Sequence, residues 1–277
     1  MICVIIVTCF VTKNVSSGVQ ILGGNVMRKV ISITNNKGGV AKTTTTLNIA
    51  VALTKLGKKV LMIDLDPQAS LSVNFGIDPL ERMISINNVL TEDTPIEETI
   101  CATHIENLWI VTSSIELSRA EFTIINKMGR EYILKNKINA LEEEYDYIII
   151  DNSPSLGILT INSLMAADYV IAPTDPTFFA LKGLEILNST LEEVKEWNKE
   201  LDFLGVVVTM YDGRTKHHNE VVAALKERYP VFDSLIKRSI KFPDACLNMS
   251  SIFETEGDNF EGAQAYMSIA KEIVNHE

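Results

Sequence analysis

Seven consecutive residues, Lys37-Gly38-Gly39-Val40-Ala41-Lys42-Thr43, bring two glycines, two lysines and a hydroxyl together in an order suited to holding phosphate. They follow the apolar run Val30-Ile31-Ser32-Ile33 and precede an amphipathic stretch, so the order is strand, loop, helix start. The first N–H groups of a helix lack intrahelical partners and carry partial positive charge, so they bind phosphate oxygens directly. Gly38 and Gly39 let the backbone curl around the anion without a Cβ clash. Lys42 brings a point charge to the β- and γ-phosphates, and the Thr43 hydroxyl is placed for Mg²⁺. The expected nucleotide contacts are Lys37, Gly38, Gly39, Val40, Ala41, Lys42, Thr43 and Thr44.

The common form of such a loop, G-x-x-x-x-G-K-[ST], is not met, because Asn36 and Ala41 occupy its two glycine positions. Ala41 is tolerated without cost at negative φ and strained at positive φ.

Carboxylates stand at two further points. Asp64 and Asp66 follow the apolar run Val60–Ile63, and Asp151 follows Tyr147–Ile150. The carboxyl ends of buried strands are where ligands bind in open α/β sheets. A carboxylate there, beside a phosphate loop, holds Mg²⁺ or its water, which makes Thr43, Asp64 and Asp151 the candidate metal set. Asp64 and Asp66 also fit a helix-capping role.

Positioning these groups requires a regular scaffold. Beyond the runs already named, strands are expected at Leu108–Val111, Tyr169–Ala172 and Leu204–Val208. Helices are expected at Thr43–Leu56 (ended by Gly57), Gly157–Ala166, Phe179–Trp197, Lys216–Arg228 and Asn259–Val274, with further helix within Ile115–Glu144. Short apolar strands alternating with amphipathic helices specify an α/β fold: one P-loop NTPase domain with a mostly parallel sheet covered by helices on both faces. No linker rich in Pro, Gly or Ser divides residues 27–277.

The chain has 277 residues, 46% of them hydrophobic, enough for a sizeable core. Its net charge of −11 excludes nucleic-acid binding through the overall field and leaves only a local basic patch. The four cysteines, at positions 3, 9, 101 and 246, lack metal-ligand or redox spacing, which argues against a zinc or iron–sulfur centre and fits a reducing cytoplasm. Residues 1–26 start with an apolar run too short to span a bilayer and without the features of a secretory signal. Gly23-Gly24 shortly before Met27 is compatible with translation starting at Met27, so residues 1–26 are expected to be a mis-assigned extension or a disordered arm. An intact mass of the native protein matching residues 1–277 would refute this.

Taken together, Lys37–Thr43, Asp64-Leu65-Asp66-Pro67-Gln68 and Ile148-Ile149-Ile150-Asp151 resemble the ParA family of partition ATPases, within the class that has a deviant Walker A motif. The resemblance runs from about Lys29 to the C-terminus and includes Pro154–Gly157, Ala172–Thr174, Thr209–Thr215 and the closing helix. It implies that Lys37 is the signature lysine that crosses a homodimer interface to the partner's ATP, that Lys42 is the P-loop lysine, and that Asp66 positions the attacking water. Those three form the implied catalytic set. Asp151 then resembles the Walker B aspartate, and Asp64 sits near the metal's hydration shell. ATP and Mg²⁺ are the implied cofactors, with hydrolysis slow in the absence of a ParB-type centromere-binding partner. Asn152-Ser153, where the family often has Cys-Pro, departs from the pattern, as does Ala41.

The family's small members bind DNA without sequence preference through basic residues in the region that corresponds to Arg214–Lys241. Arg214–Lys241 carries seven cations against three carboxylates, a net +4, and Arg214, Arg238 and Lys241 match such positions. The implied role is a partition switch on the nucleoid, in the cytoplasm and without membrane attachment. The competing roles are a MinD-like membrane-surface ATPase, which needs a basic amphipathic C-terminal helix where this chain has Met267–Glu277, and a nucleotide-dependent interaction protein with little hydrolysis. Met210 and the segment Pro243–Ala245, expected to be a loop, are the candidate adenine contacts.

Overall fold

The computed structural model describes residues 28–80 and 84–276; the expectation for residues 1–26 lies outside them. Seven strands form one sheet in the order β3-β4-β2-β5-β1-β6-β7. They are β1 (Lys29–Ile33), β2 (Val60–Leu65), β3 (Ile100–Ala102), β4 (Leu108–Val111), β5 (Tyr147–Asn152), β6 (Tyr169–Thr174) and β7 (Asp202–Val208). Every pairing is parallel except the edge pair β3–β4. The central strands β1, β2 and β5 read as continuous apolar runs because helices cover both of their faces.

The helices are α1 (Lys42–Lys55), α2 (Ser70–Val73), α3 (Ile86–Thr91), α4 (Leu117–Ile124), α5 (Ile133–Asn139), α6 (Ile158–Ala166), α7 (Ala180–Lys195), α8 (Lys216–Arg228), α9 (Lys241–Leu247), α10 (Ile252–Glu256) and α11 (Glu261–Asn275). One core layer joins the sheet to α3–α8, and the other joins it to α1, α10 and α11. On α11, Ala263, Tyr266, Ile269, Ala270 and Ile273 are buried in that second layer. Gly57, at φ 81°, ends α1 where an L-residue would be strained.

The fold class is as expected, with several local differences, among them the short helices α3 and α10, which no expectation covered. The stretch 115–144 is divided into α4, a 3₁₀ turn (Arg130–Tyr132) entered through the left-handed Gly129 (φ 66°), and α5. Pro243–Ala245 is helix, not loop: it lies inside α9, whose Ala245 packs into the core. The three-residue edge strand β3 and the one-turn helix α2 were too short to leave a periodic signal.

Candidate nucleotide site

All the groups expected to handle phosphate meet at the carboxyl edge of the sheet. The loop between β1 and α1 is anchored before it turns. The Asn35 amide donates to the Pro173 carbonyl (2.8 Å) and the Thr174 hydroxyl (3.1 Å), and its Oδ1 accepts from the Lys37 N–H (3.0 Å). The Thr209 hydroxyl donates to the Val40 carbonyl (3.2 Å). The loop is thus tied to the ends of β6 and β7, and Gly39 (φ 73°) supplies its turn.

Ala41 stands at φ 63°, ψ 38°, immediately before α1. This is the strained alternative, costing about 1–2 kcal/mol for a residue with a Cβ. Ala69 (φ 53°) and Met210 (φ 51°) are also left-handed and also border the site. Such strain gathers where the surrounding structure over-determines a functional backbone.

Lys42 is nearly buried, and its ammonium donates to the Lys37 carbonyl (3.1 Å). Burial pulls its pKa down, while the charges of Asp151 and Asp66 pull it back up. A lysine so placed gains most when an anion arrives.

Asp64 and Asp151 are register partners on adjacent strands, and both are fully buried. Their situations differ. Asp64 Oδ2 accepts from the Ser72 N–H (2.8 Å) and hydroxyl (2.7 Å), and its Oδ1 accepts from the Asp66 N–H (3.2 Å). Burial pushes its pKa up to about 6, although the Ser72 hydrogen bonds oppose that. Its carboxylate ties the start of the 66–73 segment to β2. Asp151 Oδ1 accepts from the Thr46 hydroxyl (3.2 Å), and Oδ2 has no donor. Burial, and then the Asp64 charge, push the Asp151 pKa up to about 8. A buried carboxylate oxygen left without a donor, beside the Thr43 hydroxyl, suits a hard divalent cation or one of its waters. Asp151 and Thr43 therefore fit Mg²⁺, whereas the protein already occupies the oxygens of Asp64.

Gly38, Gly39, Lys42, Thr43, Asp66 and Gln68 line a cleft of 770 Å³. Asp66 accepts from the Gln68 N–H (2.9 Å), and its carbonyl accepts from the Ser113 hydroxyl (2.7 Å), which fixes the turn that presents it. Ala41, Thr44, Pro243 and Cys246 are shared with an adjoining, mostly apolar cavity of 490 Å³ that includes Met210, Phe242 and Tyr266. A cleft that carries the phosphate loop and Lys42, adjoining an apolar slot, matches the two ends of a nucleotide.

Lys37 does not point into its own cleft. Its ammonium binds both oxygens of Asp175 (2.7 and 2.8 Å) and the Thr177 hydroxyl (3.0 Å). Asp175, Thr177, Ser72, Phe242 and Tyr266 were not singled out from sequence. Asp175 could have been, since it follows the buried strand β6, much as Asp64 and Asp151 stand one residue before the ends of β2 and β5.

The basic segment is largely paired. Arg214, 91% exposed, donates through Nε and Nη2 to Asp212 (3.0 and 2.8 Å), and these hydrogen bonds hold the Asp212 carboxyl near 2. Lys241 pairs with Glu256 (3.1 Å), Lys237 with Glu261 and Arg228 with Glu185. Arg238 is exposed and makes no ion pair among the described residues.

Comparison with known proteins agrees with this geometry. A family model described as an AAA domain matches residues 28–203. The sporulation initiation inhibitor protein Soj of Bacillus subtilis is 38% identical over 251 residues, spanning 90% of this chain and 99% of Soj. Among solved structures, a cobyrinic acid a,c-diamide synthase from Mycobacterium smegmatis with bound ADP and magnesium aligns at TM-score 0.80 and 35% identity, covering 90% of this chain and 95% of that one. A putative plasmid partition protein from Borrelia burgdorferi bound to AMPPNP aligns at TM-score 0.78 and 27% identity, covering 90% and 100%. With so deep a match along nearly its whole described length, the chain belongs to the ParA/Soj family of P-loop ATPases.

Proposed function

We propose that this protein is an ATP hydrolase acting as a partition switch: ATP joins two copies face to face, the dimer holds DNA without sequence preference, and hydrolysis releases it. The observation that carries this reading is the orientation of Lys37. It sits on the rim of the phosphate loop yet outside its own cleft, held by Asp175 and Thr177. A lysine in that place can serve a facing subunit's phosphates.

The phosphate loop N–H groups and Lys42 hold the β- and γ-phosphates, and Phe242, Tyr266 and Met210 enclose the base. Asp66 orients a water for in-line attack on the γ-phosphorus; the new P–O bond forms as the bond to the β–γ bridging oxygen breaks, releasing ADP and phosphate. Lys42 and the partner's Lys37 offset the charge that gathers on the phosphoryl oxygens. Asp151 and Thr43 would hold magnesium, which would supply further positive charge beside the phosphates. Asp64 acts through Ser72 and the Asp66 N–H, positioning the turn that carries Asp66.

Arg214, Arg238 and Lys241 form the DNA contact, and a ParB-type protein accelerates hydrolysis in the nucleoid. The membrane-surface alternative loses support because the apolar face of α11 is spent on the core. The deciding experiment compares binding to random-sequence duplex DNA with ATP–Mg²⁺ and with ADP–Mg²⁺ at one salt concentration. ATP-dependent, salt-sensitive binding that Lys42→Ala abolishes is the expected result. Equal or absent binding with both nucleotides overturns the switch.

A further inference from the structure

The end of the molecule opposite the nucleotide carries a feature that ATP chemistry does not use. The carboxyl ends of α6 and α7 precede the amino ends of β6 and β7, so they lie away from the phosphate loop. Between them and the Arg130–Tyr132 turn runs a groove of 410 Å³. Its floor is Ile161, Met165 and Val194, and its sides are Tyr132 and Trp197. Trp197 is 72% exposed. The walls are rigid: the Asn162 amide donates to the Arg130 carbonyl (2.8 Å) and its Oδ1 accepts from the Leu134 N–H (3.1 Å). Asn198, beside Trp197, donates to the Leu164 and Ala167 carbonyls (3.0 and 2.8 Å).

Unpaired carboxylates outnumber unpaired cations around the groove. Glu193 and Glu131 line it, and Glu192 and Glu196 are exposed on the same turns of chain as Trp197. Glu131 pairs with Arg130 (2.9 Å), while Glu192, Glu193 and Glu196 make no ion pair among the described residues. Of the two lysines on this stretch, Lys195 faces Asp202 at 3.8 Å and Lys199 is exposed beyond Trp197. Unpaired carboxylates around a solvent-facing indole repel nucleic acid and anionic lipid. They attract a cation that can also stack on the ring, which is what an arginine guanidinium does. The apolar floor adds a pocket for a neighbouring aliphatic side chain. A rigid aromatic beside a small pocket with a polar rim is how peptide-docking hot spots are built.

We propose that this groove docks an arginine-bearing amphipathic segment of a partner protein, with a guanidinium on Trp197 between Glu193 and Glu131 and an aliphatic residue on Met165 and Val194. The site is separate from the nucleotide cleft and does not depend on the partition reading.

The test uses the full chain with Trp109→Phe, which leaves Trp197 as its only tryptophan. The probe is a labelled amphipathic helical peptide of leucine, alanine and arginine, and its counterpart with glutamate for arginine. Saturable binding of the arginine peptide is expected, with a blue shift of Trp197 emission, and none for the glutamate peptide. In the otherwise unaltered chain, Trp197→Ala and, separately, Glu193→Lys are expected to weaken binding about tenfold or more, whereas Glu106→Lys, a charge change of the same size on the distant β3–β4 loop, leaves it unchanged. No blue shift, or equal weakening by Glu193→Lys and Glu106→Lys, overturns the proposal in favour of general attraction to an acidic protein. Self-association without peptide that Trp197→Ala abolishes also overturns it, because the occupant is then a second copy.

Discussion

Lys37, in the loop after β1, and Asp175, just beyond the end of the neighbouring strand β6, form an ion pair, with the ammonium 2.7 Å from one carboxylate oxygen and 2.8 Å from the other. In the proposed dimer Lys37 must leave this pair to reach the partner's phosphates, so Asp175 restrains the isolated subunit. The pair is partly exposed, and its loss is worth no more than about 1 kcal/mol, or roughly fivefold in an equilibrium. Asp175→Ala is therefore expected to lower the protein concentration needed for dimerisation with a non-hydrolysable ATP analogue by up to about fivefold, measured by sedimentation. Weaker dimerisation in the variant would mean that Asp175 supports the interface and does not restrain Lys37.

Ala41 offers a test on the folded state alone. A Cβ at φ 63° costs about 1 kcal/mol or more that glycine would not incur. Ala41→Gly is expected to stabilise the nucleotide-free protein by about 1 kcal/mol, raising its Tm by about 2–4 °C. An unchanged or lower Tm would show that the unfolded-state entropy of the added glycine outweighs the relieved strain.

How far these features were visible beforehand depended on what kind of signal each one leaves. The phosphate loop and the strands before Asp64 and Asp151 were legible because chemistry and periodicity coincide there: an apolar run must end before a carboxylate can face a ligand. The conformation of Ala41 was not, since φ is set by the loop's tethers at Asn35 and Thr209, which come from contacts with distant strands. Nor was the division of roles between Asp64 and Asp151. Both follow apolar runs, and only the fold brings Ser72 onto one and leaves the other with a bare oxygen. The basic segment was legible as charge, but its carboxylate partners, such as Glu256 and Glu261, lie further along the chain.

The two buried carboxylates make a pH prediction. The Asp151 pKa is raised to about 8 in the folded protein, against ~3.9 for an unfolded carboxylate. Between those values the folded state holds the proton more tightly, so without metal, stability falls as pH rises across the window, with the full penalty above about 8. Asp64, raised to about 6, adds to the fall in the lower part of the same range. Asp151→Asn is expected to flatten this dependence and to stabilise the metal-free protein at alkaline pH, while removing Mg²⁺-dependent turnover. Denaturant titrations across the pH range, in chelator, decide it. A variant that remains as pH-sensitive as the parent would assign the slope to other groups.

Ser72 carries a heavier structural load than its size suggests. Its N–H and hydroxyl both donate to Asp64, and its hydroxyl oxygen accepts from the Ser113 N–H at 3.0 Å. Removing the hydroxyl leaves the buried Ser113 N–H without its acceptor and takes away one of the three donors to the buried Asp64 carboxylate, which costs about 1–3 kcal/mol. Ser72→Ala is expected to lower the melting temperature and, by loosening the turn that presents Asp66, to lower kcat with little change in ATP affinity. Loss of ATP affinity with kcat intact would place Ser72 in binding, not in positioning.

The basic segment gives the last test, because its cations start from different states. Arg238 makes no ion pair among the described residues, so a phosphate gains its charge outright, whereas Arg214 must first exchange the Asp212 carboxylate for the phosphate. Such surface pairs are weak and screened, which makes the exchange feasible but not free. Each phosphate contact contributes about 0.9 to the slope of log affinity against log salt on duplex DNA. Arg238→Ala is expected to reduce that slope by about one contact, and Asp212→Asn, by releasing Arg214, to strengthen ATP-dependent DNA binding without affecting nucleotide affinity. A slope that Arg238→Ala does not move, together with affinity that Asp212→Asn does not raise, would place the DNA contact elsewhere on the protein.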